Sequence, residues 1–325
     1  MKPFSYKISV IGAGAVGATL AQRLFEYGLA DVVLVDILKD LARGKALDLM
    51  DAASITRTEK SIIGTDDYED ISGSDIVVIT AGFPRKPGMS REDLISKNAL
   101  IVKDVAAKIS QSAPKAIVIV VTNPLDVMTY LALKTTGFDK TKVMGMAGVL
   151  DGSRFITLIA EELKIRRSLV KTFVMGSHGD TMVPVISKTT VEGKPLSSVL
   201  SAEKIEGIVR RTCDRGAEIV SLLGTGSAYY SPSASALRMI RAIMDDCGEI
   251  VTASAYLEGE YGLSDICMGV PCRLDSRGVV EVVEFELSEQ EKAAFSKSAK
   301  VVEGSIELLR ARHLIHQQTV KDGAG

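Results

Sequence analysis

Short, almost uninterrupted apolar runs recur over the first 145 positions: YKISVIG (6–12), DVVLVD (31–36), SDIVVIT (74–80) and AIVIVVT (116–122). They are rich in Val and Ile and do not alternate with polar residues, a pattern that predicts strands covered on both faces. Between them, AVGATLAQRLFEYG (15–28) and REDLISKNALIVKDVAAKISQSAP (91–114) space their apolar residues as helices do, with stops at Gly28 and Pro114. Strand, helix and strand in repetition predict an α/β fold built on a doubly wound parallel sheet.

The rhythm changes after residue 150. A helix is expected over 150–165, shorter alternating strands in KTFVMGSHG (171–179) and MVPVISKTTVEG (182–193), and helices over 202–222 and 230–246. Antiparallel-looking runs follow at 250–262 and 265–285, then a last helix over 288–312. This is the pattern of an α+β second domain. There is no internal repeat, and the tail QTVKDGAG is expected to fray.

Composition narrows the function classes. The 325 residues are 46% apolar and 25% charged, with a formal charge of -2. Lacking a basic excess or an aromatic-basic stripe, the chain offers no electrostatic footprint for nucleic acid or an anionic membrane. No apolar stretch approaches the roughly 20 residues of a membrane span. The four cysteines (Cys213, Cys247, Cys267, Cys272) form no CxxC, so reduced thiols and no metal site are expected. The opening MKPFSYKISVIG enters a strand-like run at once, so no leader is expected, and the chain reads as cytoplasmic.

Against this neutral background two clusters stand out. In VIGAGAVG, Gly12, Gly14 and Gly17 form G-x-G-x-x-G between the first strand and first helix. The first glycine permits the tight turn, the second lets backbone approach a pyrophosphate, and the third lets helix pack on strand. Asp36 ends the second strand where it can accept ribose hydroxyls, and Ile37 and Leu38 follow it rather than Arg or Ser. A 2′-phosphate would meet a carboxylate there, with Lys39 the nearest cation, so NAD is favoured over NADP. The sheet is thus expected to be of Rossmann type, with an NAD-binding domain over 1–147 and a substrate domain over 148–325.

The second cluster is TAGFPRKPGMSRED (80–93), with Arg85, Lys86 and Arg91 on a segment broken by Gly82, Pro84, Pro87 and Gly88. It follows a strand of the parallel sheet, as does TNP (122–124), and therefore overhangs the cofactor pocket. Lys86 is read as solvated. Near the domain junction lie VLDGSRF (149–155), where Asp151 and Arg154 share a helix face, and GSHGD (176–180) with His178, the one histidine in the body of the chain. Oxidising an alcohol needs a group that titrates near neutrality, which suits His178, with Asp151 available to hold its tautomer. His313 and His316 are read as a solvated helix end.

Taken together and in order, GAGAVG, VLVD, TAGFPRKPGMSREDL, VTNPLDVMTY, GMAGVLDGSRF and GSHGDTMVPV resemble the lactate/malate dehydrogenase family, and GSAYYSPSASA (226–236) extends the similarity. The resemblance implies a Rossmann domain followed by a substrate domain, and reversible oxidation of (S)-malate to oxaloacetate with NAD. His178 would be the proton acceptor and donor, oriented by Asp151. Arg154 would bind the C1 carboxylate, Arg91 would polarise the reacting carbonyl, and Arg85 would bind the C4 carboxylate. Asn123 would contact substrate and nicotinamide, and Asn98 the cofactor. The cationic segment would act as a lid. A homodimer or homotetramer is implied, with RGKALDLMDA (43–52) at a subunit contact. The alternatives are a dehydrogenase for lactate or another monocarboxylic 2-hydroxy acid, against which Arg85 argues, and a non-catalytic NAD-binding protein, which would not need the four charged groups together.

Overall fold

A computed structural model of the chain describes residues 5–84 and 90–315, apart from the side chain of Arg91. Arg85, Lys86, Pro87, Gly88, His316 and the QTVKDGAG tail, with the expectations placed on them, lie outside the described residues.

The chain begins β1 (Tyr6–Ile11), α1 (Ala15–Glu26), β2 (Ala30–Val35), α2 (Lys39–Thr56), β3 (Ile62–Thr65), β4 (Ile76–Ile79), α3 (Arg91–Ser112), β5 (Ile117–Val120), α4 (Leu125–Thr136) and β6 (Val143–Gly145). Every residue of β4 and β5 is buried, as their unbroken Val/Ile content requires. The hydrophobic runs do not signal β3 and β6. These strands have four and three residues, and each pairs at an end of the parallel ladder.

The second part runs α5 (Gly148–Leu163), β7 (Val170–Lys171), β8 (Val174–Met175), β9 (Val183–Pro184), β10 (Thr190–Val191), β11 (Lys194–Pro195), α6 (Ala202–Leu223), α7 (Tyr230–Met244), β12 (Glu249–Glu258), β13 (Ser264–Asp275), β14 (Gly278–Val282) and α8 (Glu289–Ala311). The strands expected over 171–179 and 182–193 are broken into two-residue pieces. Gly176 and Gly179 take φ of 85° and 145°, which turns the chain, and a 3-10 turn occupies Ile186–Lys188. The run at 265–285 is a hairpin, β13 with β14.

One nine-stranded sheet carries most of this, in the order β14-β13-β12-β6-β5-β4-β1-β2-β3. The six strands from β6 to β3 are parallel, and their order reverses between β1 and β4. The antiparallel strands expected in a separate second domain instead extend the same sheet, since β12 pairs with β6 through Ser254 and Gly145. A main core covers the sheet, and a smaller one, including Phe155, Leu158, Ile205 and Ile208, lies between α5 and α6. Among the described residues no helix is long and apolar enough to cross a membrane.

Candidate active site

The crevice where strand order reverses opens beyond the carboxyl ends of β1 and β4, the usual place for a ligand in an open α/β sheet. The turn after β1 is shaped by missing side chains. A Cβ on Gly12 would lie 2.7 Å from the Ala81 nitrogen, and one on Gly17 would lie 1.9 Å from the Gly12 carbonyl oxygen. Around Gly14 the equivalent space is open to 4 Å, and no side chain caps the amides that start α1. An anion can approach that helix end with backbone N–H groups facing it. These residues fit a dinucleotide pyrophosphate.

Asp36 is tied into the same turn. Its Oδ2 accepts from the Ala13 amide at 2.6 Å and its Oδ1 from Leu38 at 2.9 Å, while Lys45 Nζ donates to the Ala13 carbonyl at 2.7 Å. Lys39, the cation that follows Asp36 most closely in sequence, pairs with Asp66 at 2.9 Å, and Lys45 is held by the Ala13 carbonyl. The charge balance favouring NAD therefore stands.

On the other side of the crevice, α5 and the loop after β8 bring the predicted chemical groups together. His178 Nδ1 lies 2.8 Å from Asp151 Oδ2, leaving Nε2 for a substrate. Asp151 is almost fully buried, and its other oxygen stands 3.5 Å from Arg154 Nη1. Burial, the largest influence on His178, disfavours its charged form. The charge and hydrogen bond of Asp151 outweigh it, with Arg154 opposing and Asp126 assisting, so the imidazole is held above its ordinary pKa. Arg154 is 12% exposed, and its buried Nε has no partner among the described residues. Burial pulls its pKa down, countered by Asp151, and the like charge of Arg215 pulls the same way as burial. A buried guanidinium with unspent donors is poised for a planar anion such as a carboxylate.

Asn123 is exposed at the start of α4, after β5. Asn98 is buried on α3 and is occupied by the protein itself. Its Nδ2 donates to the carbonyls of Phe83 (3.2 Å) and Asn123 (2.6 Å), and its Oδ1 accepts from the Phe83 amide (2.8 Å). It thus clamps the start of the cationic segment to the Asn123 turn. Arg91 opens α3, whose first turn is closed by reciprocal bonds between Ser90 and Asp93.

Sequence reasoning missed the groups that hold the histidine loop. The His178 amide donates to Asp126 Oδ2 at 2.9 Å, Ser254 donates to Asp126 Oδ1 at 2.7 Å, and the Ser177 amide donates to Ser298 Oγ at 2.8 Å. Gly176 and Gly269 exchange backbone bonds, docking the loop on β13. The available signal was one acid in the apolar run LDVMTYLAL, and it passes for an ordinary first-turn helix residue. His313 is exposed, and no cluster able to hold a metal occurs among the described residues.

Comparison with known proteins supplies the wider frame. Malate dehydrogenase of Trichormus variabilis is 51% identical over 301 residues, covering 93% of each chain, and that of Methanosarcina mazei is 50% identical over 303 residues, covering 93% of this chain and 99% of the other. Among solved structures, Cryptosporidium parvum malate dehydrogenase superposes with a TM-score of 0.92 at 40% identity, covering 95% of this chain and 100% of that one. The lactate dehydrogenase of the same organism, solved with lactic acid and nicotinamide adenine dinucleotide, also gives 0.92 at 40%, covering 94% and 98%. Residues 6–145 match the NAD binding domain of lactate/malate dehydrogenase, and residues 148–312 match its alpha/beta C-terminal domain. The chain belongs to the lactate/malate dehydrogenase family.

Proposed function

We propose that the chain is an NAD-dependent malate dehydrogenase interconverting (S)-malate and oxaloacetate. The observation that carries the chemistry is the His178–Asp151 pair at 2.8 Å beside the Arg154 guanidinium, whose buried Nε has no partner among the described residues. Gly12, Gly14, Gly17 and Asp36 would hold the nicotinamide cofactor, which would supply the hydride acceptor for malate and the donor for the reverse reaction. In oxidation, Nε2 of His178 takes the proton of the C2 hydroxyl, and Asp151 stabilises the resulting imidazolium. In reduction, the imidazolium returns the proton to the carbonyl oxygen. Arg154 grips the C1 carboxylate through two parallel bonds and fixes C2, which makes transfer a positioned, effectively unimolecular step.

The remaining assignments come from the family pattern. Arg91 polarises the carbonyl, Arg85 meets the C4 carboxylate, and Asn123 contacts substrate and nicotinamide. Asn98 serves the cofactor indirectly, through the Phe83 and Asn123 backbone it holds. Residues 1–147 act as the cofactor unit and 148–325 as the substrate unit. The enzyme works in the cytoplasm as a homodimer or homotetramer, and α2 carries Leu47 and Ile55, 63% and 82% exposed, for a second copy to cover.

Lactate is the rival substrate, and the equal likeness to a malate and a lactate dehydrogenase means that backbone shape does not decide between them. Charge does. Closing over pyruvate would leave one buried guanidinium unpaired, at a cost of about 3–5 kcal/mol, or at least ~100-fold in preference. Steady-state rates with NADH should favour oxaloacetate over pyruvate by that factor, and Arg85→Gln should remove most of the preference. Pyruvate turnover equal to that of oxaloacetate would overturn the assignment. Oxaloacetate reduction should slow as pH rises through the elevated His178 pKa, because the imidazolium is its acid, while malate oxidation should speed up over the same range.

A further inference from the structure

Asp126 is a carboxylate only 3% exposed, and the reaction above leaves it without a task. It lies in the first turn of α4 and points its oxygens at two different elements: one at the His178 amide, the other at Ser254 on β12. Anchoring a loop amide needs only a neutral acceptor, and an Asn would do it without the desolvation cost of a charge. What a carboxylate adds is negative charge. Around the His178 ring stand Asp151 and Arg154 from α5, and Arg154 opposes the imidazolium. The guanidinium that the substrate requires thus works against Asp151, and Asp126 adds to the Asp151 side of that balance.

We propose that Asp126 is a positioning residue for proton transfer, fixing the His178 backbone and supplying a second negative charge that sustains the imidazolium beside Arg154. The inference rests on the role given to His178 above. Among the described residues, the partners that bond the Asp126 carboxylate besides His178 are uncharged. Ser254 and Ser177 are hydroxyls, and the Cys267 thiol of β13 is kept neutral by burial first and by Asp126 itself. Val302 and Ser305 of α8 line a cavity of about 10 Å³ against Asp126, Ser177 and His178, the space of one water. Burial is the strongest influence and leaves the Asp126 pKa above its ordinary value, while the Ser254 and His178 bonds and the start of α4 work for its anion.

The test uses the full-length enzyme with NADH bound and histidine labelled for NMR. The chain has three histidines, and His178→Gln identifies the relevant signal. Asp126→Asn should move the His178 titration midpoint down by about 0.5–1 unit, as expected for losing a nearby opposite charge. The kcat for oxaloacetate should fall about 3–10-fold at pH 8 and recover in part at pH 6, with NADH affinity within about twofold of wild type. Ser254→Ala should give a smaller shift in the same direction, because Asp126 loses a donor that stabilises its anion, and this variant decides the matter if Asp126→Asn does not fold. An unmoved midpoint, or a kcat loss independent of pH and matched by lost NADH affinity, would overturn the proposal. Because the midpoint is read without turnover, a wild type inactive on oxaloacetate would sink the substrate assignment and leave this inference standing or falling on the NMR result.

Discussion

The two halves of the nine-stranded sheet serve the crevice in opposite ways. The parallel half offers turns at strand ends from which side chains have been removed, so that the backbone at Gly12, Gly14 and Gly17 makes a close-fitting but open cradle. The antiparallel half works from strand interiors: Ser254 of β12 holds Asp126, and Gly269 of β13 bonds the backbone of Gly176, two residues before the histidine. A cofactor site needs room for a large ligand to approach backbone. A proton-transfer site needs one imidazole held within a fraction of an ångström, and many fasteners achieve that.

The largest break of this contrast is His178→Gln. Removing the proposed proton carrier should lower kcat by about 10²–10⁴-fold, while fluorescence titration should find NADH binding within about twofold of wild type. Loss of NADH affinity comparable to the loss of kcat would mean the two halves are not separable. Gly17→Ala attacks the other half. Its Cβ would lie 1.9 Å from the Gly12 oxygen, so the turn must move, at a stability cost of about 3 kcal/mol by denaturant melt and with NADH affinity collapsing as well.

Much of this was legible in the chain because it is written in local pattern. β4 and β5 announce themselves as unbroken Val/Ile runs, and the G-x-G-x-x-G turn with Asp36 lies within one strand-helix-strand unit. His178, Asp151 and Arg154 could be named from short motifs, and folding brings the first two to 2.8 Å. What could not be read is pairing across long separations. Nothing in EIVTASAYLE shows that Ser254 meets Asp126, 128 positions earlier, or that β12 joins β6 instead of starting a sheet of its own. Nor does Asn98 advertise that its amide is spent on the Phe83 and Asn123 backbone. Hydrophobic period locates an element and its buried face, but it carries no register between distant strands.

Gly269→Ala sharpens the comparison with a smaller effect. A Cβ there would sit 2.5 Å from the Gly176 oxygen, so it must push the histidine loop off β13 by some tenths of an ångström. The expected result is a kcat lower by about 10–100-fold with NADH affinity kept, since small misplacements of a catalytic group cost about that much. An unchanged kcat would show that Asp126 and Ser298 hold the loop without β13.

Gly14→Ala should be the mildest change and separates shape from chemistry within the cradle itself. Gly14 has φ of -66°, a value any residue adopts, and nothing lies within 4 Å of where its Cβ would stand. Its neighbours Gly12 and Gly17 are glycines because the protein's own atoms crowd them, which makes their substitution a folding problem. Nothing in the protein itself demands a glycine at Gly14, and the proposed cofactor site gives the missing side chain a use, as room for the pyrophosphate at the start of α1. The variant should therefore melt within about 0.5 kcal/mol of wild type without cofactor, since it meets no neighbour. With NADH present it should lose part of the thermal stabilisation that a bound ligand confers, in proportion to its weakened Kd. Equal cofactor stabilisation in the two proteins would mean the pyrophosphate does not pass over Gly14, and the open space beside it would need another explanation.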